Sequence, residues 1–197
     1  MVNKKIDKID FIMRAAELIN IRGYHFSSID DIAKTCGLSK ASVYNYIDSK
    51  QQLAVLILTY FHELVHEGIF KPVVTSGLPA EQKLVQLSQK LGAFYAARPG
   101  GCLMGNMALE LIDNQPQCVQ SVKRFFDEWI NTLTRILAER LNFETAQRIA
   151  EDMTAQFQGA LMLGRVYKND KILERVLERI GSLLLVRDNV LVALSEC

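Results

Sequence analysis

Apolar residues along this chain recur at intervals of three and four, the spacing that lines them up on one face of an α-helix. Ile9, Ile12, Met13, Ala16 and Ile19 form the first stripe, and Gly23 offers a stop after Arg22. The rhythm returns over residues 53–70, 84–96, 122–141, 146–167 and 172–194. Breakers separate the stripes: residues 72–79 with a proline at each end, Pro99-Gly100-Gly101, Asn114 to Pro116, Asn142, and Asn169-Asp170. No stretch alternates with period two, and no Asn-Gly or Asp-Gly pair marks a hairpin. The pattern predicts an all-α fold of about nine helices, three of them short and near the N-terminus.

The short helices carry the chemistry. Ser28-Ile29-Asp30-Asp31 is a capping box, because the hydroxyl and the acidic group three residues on can each accept an amide proton from the other's backbone. The helix it opens ends near Cys36-Gly37, where glycine tolerates the left-handed turn. Ser39 then caps a second helix over residues 40–47, and Ser49-Lys50-Gln51-Gln52 is a second capping box that launches the long helix beyond. Ile29, Ile32, Ala33, Leu38, Val43 and Ile47 supply the inner face. Two short capped helices joined by a glycine turn make a helix-turn-helix.

On the outer face of the second helix the pattern leaves Lys40, Ala41, Ser42, Tyr44, Asn45 and Tyr46. Short, polar and aromatic groups let a helix enter a DNA major groove roughly 12 Å wide. Lys40 suits guanine, Asn45 adenine and Ala41 a thymine methyl, while Tyr44 and Tyr46 are long enough for phosphates. Lys50 sits in a first turn, where the helix dipole disfavours a cation. A phosphate opposite would resolve that misfit. Residues 1–60 hold eight Lys/Arg against six Asp/Glu, so charge alone decides little; placement of Lys4, Lys5, Lys8, Lys34, Lys40 and Lys50 around one groove says more. A helical hairpin that merely packs is the bland alternative.

Composition narrows the rest. At 197 residues, 49% hydrophobic and 23% charged, the chain suits one compact body, or a small module joined to a larger one. The longest apolar run, 53–58, falls short of the ~20 residues of a spanning helix, so no membrane span is expected. The opening MVNKKIDKID is too charged to read as a secretory signal. Cys36, Cys102, Cys118 and Cys197 show no CxxC pair and no zinc spacing, which fits reduced thiols in a cytoplasmic protein. No cofactor or metal is expected.

The run from Arg22 through Gly23, Tyr24, His25, Phe26, Ser27, Ser28, Ile29, Asp30, Asp31, Ile32 and Ala33, then Gly37 through Ile47, then Ser49, Lys50 and Leu53, closely resembles the N-terminal domain of TetR/AcrR-type transcriptional repressors. The resemblance covers about residues 5–55. It implies a helix-turn-helix DNA-binding domain over 1–50 and a ligand-binding and dimerisation domain over 51–197. It implies DNA contact by Lys40, Ala41, Ser42, Tyr44 and Tyr46, with Lys50 on a phosphate; Ser28, Ser39 and Asn45 complete the candidate set. Ile47 departs from the family, where an aromatic is usual, and Gln51 and Gln52 replace a commoner charged pair.

One recognition helix reads too few base pairs for selectivity, so a homodimer on a double-stranded, pseudo-palindromic operator is expected. The two terminal stripes are the expected interface, with Met153, Phe157, Ala160, Leu161 and Gly164 on one and Val176, Ile180, Leu184, Leu191 and Leu194 on the other. Completion of the monomer's own core is the alternative. Gln158 to Arg165 resembles the family's penultimate helix. For an unidentified small-molecule inducer, the candidates are Phe61, Leu64, Phe94, Cys102, Met104, Asn106, Met107, Glu110, Phe125, Trp129 and Phe157, a make-up shared by pockets and cores alike. Gly100-Gly101-Cys102 places a thiol near a helix start, which favours thiolate chemistry, and resembles a subgroup of these repressors, some of which respond to electrophiles. The other reading of Cys102 is a small buried hydrophobe.

His62-Glu63-Leu64-Val65-His66 spells HExxH, the zinc-protease helix. A catalytic zinc needs a third protein ligand, and the remaining histidine, His25, lies in the DNA-binding module. No strand offers a peptide an edge. The expectation is a regulator and not an enzyme.

Overall fold

The computed structural model describes residues 6–98 and 100–185. Lys4, Lys5, Pro99, Leu191, Leu194 and Cys197 lie outside the described residues. Among those described there are nine helices and no strand: α1 Lys8–Arg22, α2 Ile29–Cys36, α3 Lys40–Val43, α4 Lys50–Val74, α5 Ala80–Ala96, α6 Leu103–Leu111, α7 Pro116–Leu137, α8 Phe143–Tyr167 and α9 Lys171–Ser182. Helix α4 contains one π-turn, His66–Phe70, and keeps Pro72 in its last turn, so the helix runs past the expected break.

Two compact units make up the chain. One comprises the chain up to Leu64 together with the segment that ends at Phe125; the other comprises Val65–Arg98 and the chain from Phe126 onward. The first therefore gathers α1 to α3, the start of α4, all of α6 and the start of α7, a grouping wider than residues 1–50.

In the first unit, Asp7 caps α1 by accepting the Ile9 N–H. The buried face of α1 is Phe11, Ile12, Ala15 and Ile19, while Ile9 and Met13 are about half exposed. The expected stripe is thus rotated, because the larger Phe11 ring goes inward and stacks on Tyr46 at 4.7 Å. Helix α2 opens at the full Ser28–Asp31 capping box and closes at Gly37, φ 67°. There the Leu38 N–H reaches back to the Ala33 carbonyl at 2.8 Å, a bond that requires the left-handed residue between. Ile32, Ala33, Val43 and Ile47 are buried; Ile29 and Leu38 are half-buried. At the second box Ser49 Oγ accepts the Gln52 N–H at 3.1 Å, but Gln52 Oε1 accepts the N–H of Asp48, one residue earlier than expected.

In the second unit an aromatic cluster forms the core. Trp129 stands 4.8 Å from Phe157 and 5.5 Å from Phe70, and Tyr95 meets Phe157 at 5.3 Å. All four are buried, each contributing roughly 1.5–3 kcal/mol of transfer free energy. Ion pairs Lys83–Glu139 and Arg140–Glu81 tie α5 to the end of α7 and the residues after it. Ser88 donates to the Leu177 carbonyl at 2.7 Å, fastening α9 to α5.

One described helix, α4, is long and apolar enough to cross a membrane, which a count of uninterrupted apolar residues misses. Its Leu53, Ala54, Ile57, Leu58, Val65, Ile69 and Val73 are buried in protein, as in a core helix.

Candidate nucleic-acid interface

Helix α3 is one turn long, shorter than the expected 40–47. Beyond Val43 the amides of Asn45 and Tyr46 bond three residues back, to Ser42 and Val43. That tighter winding turns successive side chains through a larger angle. Lys40, Ala41, Tyr44 and Asn45 face solvent, Tyr44 with half its surface exposed. Two expected members do not. Ser42 is 8% exposed, its amide and hydroxyl both bonded to Ser39 Oγ. Tyr46 folds back: its hydroxyl accepts the Ile6 N–H at 3.1 Å and donates to the Ile6 carbonyl at 2.8 Å. The Ser28 and Ser39 hydroxyls remain on exposed helix starts, each engaged as an N-cap.

Lys40 pairs with Asp30 at 2.8 Å; both side chains are 56% exposed, so the bond is weak and exchangeable for a phosphate. It raises the ammonium's pKa. The Lys50 Nζ lies 4.3 Å over the Tyr24 ring, a cation–π contact. Partial burial lowers its pKa, against the raising influence of Glu110 and Asp31.

Helix α6 holds this surface from behind. The Glu110 carboxylate accepts the N–H of Tyr24 and of His25, both at 2.9 Å. Four residues earlier, Asn106 Nδ2 donates to Asn20 Oδ1 at 2.7 Å and to the Gly100 carbonyl at 2.8 Å, and Asn20 Nδ2 donates to the Gly101 carbonyl. Gly100 leaves the room this amide fills, since a Cβ would lie 2.5 Å from Asn20 Nδ2 and force that side chain to shift. Gln115 adds a bond to the Tyr24 hydroxyl. Asn106 and Glu110, candidate ligand residues by sequence, are therefore spent on α1 and the loop after it. Asn20, Tyr24 and His25 are partners that the pattern did not single out.

The other ligand candidates separate. Phe61, Leu64, Cys102, Met104, Met107 and Phe125 belong to the first unit, where Phe61 and Phe125 are 5.8 Å apart. Phe94, Trp129 and Phe157 belong to the second. Phe94 carries the Arg98 guanidinium 3.6 Å above its ring. Cys102 is the N-cap of α6, as its neighbours suggested, and only 3% exposed; its Sγ accepts the Gly105 N–H. Burial pushes the Cys36 thiol up to about 11 and raises that of Cys118.

Of the expected dimer residues, Met153, Phe157, Ala160, Gly164 and Ile180 are buried within the chain itself. Leu161, Val176 and Leu184 are half-buried. The stripe read as an interface is largely core, because its large members pack inward. The exposed apolar face of α8 is instead Met162, Leu163, Val166 and Tyr167. In the HExxH run, His66 bonds Glu128 through Nδ1, and His62 meets the Phe125 ring edge. Among the described residues no three His, Cys, Asp or Glu converge as a metal site.

A tightly capped helix-turn-helix, four outward groups on and just after its second helix, and an all-helical remainder among the described residues agree with comparisons to known proteins. The family described as "Bacterial regulatory proteins, tetR family" matches residues 11–57, and "Transcriptional regulator LmrA/YxaF-like, C-terminal domain" matches 89–179. The chain belongs to the TetR family. It is a transcriptional regulator and not an enzyme. It is 25% identical over 171 residues to the HTH-type transcriptional repressor DhaR of Mycobacterium sp. (strain GP1), covering 83% of this chain and 85% of that one. A TetR regulator from Legionella pneumophila superposes with TM-score 0.82 at 23% identity, over 92% of this chain and 99% of the other. One from Chloroflexus aurantiacus J-10-FL gives 0.77 at 27% identity, over 90% and 93%.

Proposed function

We propose that this TetR-family regulator is a cytoplasmic homodimeric repressor that binds a pseudo-palindromic operator and is released by a small-molecule or electrophile inducer. The observation that carries the reading is the outward set Lys40, Ala41, Tyr44 and Asn45 along α3 and the tighter turn after it, where Lys40 and Asn45 offer donors to base edges, Ala41 leaves room for close approach and Tyr44 is long enough for a phosphate. Repression is the activity named for the relative DhaR. The dimer forms through the exposed α8 face, where Gly159 has open space beside it and Met162, Leu163, Val166 and Tyr167 need cover. Leu161, Val176 and Leu184 border it.

The inducer acts by binding one spacing of the two recognition segments better than the other. Within the first unit, α6 is the element able to transmit that preference, since Asn106 and Glu110 fix it to α1 and to the loop that leads into α2. In the second unit, Gln86 Oε1 and Gln158 Nε2 are buried atoms with no hydrogen-bond partner among the described residues, the kind of group a ligand satisfies.

Selection of bound fragments from random duplex DNA tests the reading. The expected product is a motif with two-fold symmetry and half-sites about one helical turn, or a multiple, apart. Absence of duplex binding at low salt, or a strictly monomeric protein, refutes it.

A further inference from the structure

Lys50 opens α4, where unpaired backbone amides and the helix dipole favour an anion, yet the side chain brings a positive charge. It follows the outward Tyr44 and Asn45 by six and five positions, at the edge of the surface that faces DNA. The side chain is half-buried, and burial outweighs the pull of Glu110 and Asp31 on the ammonium. Its neighbour is the face of Tyr24, which attracts the charge but accepts none of its three N–H groups as an oxygen would. Among the described residues the Lys50 ammonium makes no hydrogen bond and no ion pair. A partly desolvated cation with unused donors is a site waiting for an acceptor.

The ring beneath it is fixed. Tyr24 donates its amide proton to Glu110 Oε1 at 2.9 Å, its hydroxyl accepts from Gln115 Nε2 at 3.1 Å, and its carbonyl accepts the Ser27 N–H at 3.2 Å. Backbone and ring tip are both tied, so the face has one orientation. At 3% exposure, Tyr24 has almost no surface of its own to offer DNA. A lysine on a free stem gives up rotamer freedom when it meets a phosphate, whereas one already seated on a ring gives up less.

We infer that Tyr24 is a positioning residue for DNA binding, and that its ring, fixed by Glu110 and Gln115, seats the Lys50 ammonium for a backbone phosphate of duplex DNA at the start of α4. The contact carries no base code, and Tyr24 acts on DNA only through Lys50. This rests on the DNA-binding reading above.

The test is a double-mutant cycle on the full chain, read as affinity for a selected operator duplex and for a random duplex across a salt series. Lys50→Ala is expected to weaken binding to both several-fold and to flatten the slope of log K against log salt by about one. Tyr24→Phe keeps the ring face and should bind within about twofold of wild type. Tyr24→Leu removes the face; it is expected to cost roughly threefold in the wild-type background and nothing in the Lys50→Ala background. Equal losses from Tyr24→Leu in the two backgrounds overturn the inference, because a merely structural tyrosine gives that result. Wild-type affinity and slope in Lys50→Ala overturn it too. A measurement on the unaltered chain removes any dependence on how the variants fold. The Lys50 ε-methylene protons are expected to show the upfield NMR shift of a group over an aromatic face, and to move again as duplex is added. Unshifted protons, or shifted protons indifferent to a duplex that binds, overturn the inference. A wild-type chain that binds no duplex defeats the DNA-binding reading, and the inference with it, while the upfield shift persists, a pattern distinct from the others.

Discussion

The two compact units are held together by different physics. The second is organised around Phe70, Trp129, Phe157 and Tyr95, four large rings each in contact with the next and out of water. The first has a core too, but α6 is fixed to α1 and the following loop by directional bonds from Asn106 and Glu110 to named backbone and amide groups. Apolar burial is large and tolerant of small displacement, whereas hydrogen bonds are modest in net energy and specific in geometry. A regulator needs both. One region supplies the stability that folding requires, and the other sets where its DNA-facing elements stand.

The largest expected effect falls on the aromatic cluster. Trp129→Ala should destabilise the protein by about 3–5 kcal/mol in urea unfolding, through lost transfer energy and the cavity left behind. A cost below that of an ordinary surface change would mean that the cluster is not the source of that unit's stability. Next comes Glu110→Ala, which strips the acceptor from two backbone amides. A stability loss of about 1–3 kcal/mol is expected, together with weaker operator binding under conditions where the variant remains folded. Glu110→Gln keeps one oxygen and should fall between. Normal operator affinity in folded Glu110→Ala would erase the distinction drawn between the two units.

The smallest effect concerns the α2 start. Ser28→Ala removes the cap and should cost about 1 kcal/mol. It should also change the acid limb. The Ser28 hydroxyl and N–H hold the Asp31 carboxyl below its usual range, with minor help from Arg22 and Lys34. A depressed folded-state pKa means stability that is present above the unfolded carboxylate value and is lost as pH falls through the folded one. Ser28→Ala should therefore flatten stability against pH in that acidic window; an unaltered slope would deny Asp31 this role.

Local signals were legible in the chain before any coordinates. The Ser28 box, Gly37 and the Ser39 cap each depend on residues within a few positions of one another, and all stand where the sequence puts them. Reading failed wherever the deciding partner is distant. Phe11 turned inward, and Tyr46 with it, because each completes the other's stack across 35 positions of chain. Asn20 meets Asn106 across 86 positions, and no spacing rule announces such a pair. The terminal stripe shows another limit: periodicity shows that a helix has an apolar face but not whether its own chain or a second copy covers it. Met153 and Phe157 went to the core, and the smaller exposed patch around Met162 and Tyr167 lay one face away.

The glycine at position 100 has a consequence for how this protein can change. The absent methyl group there is the room in which Asn20 sits. A Cβ at position 100 would press on the Asn20 amide and come within 3.2 Å of its backbone carbonyl, so a single added carbon puts the bonds from Asn20 to Gly101 and Asn106 under strain together.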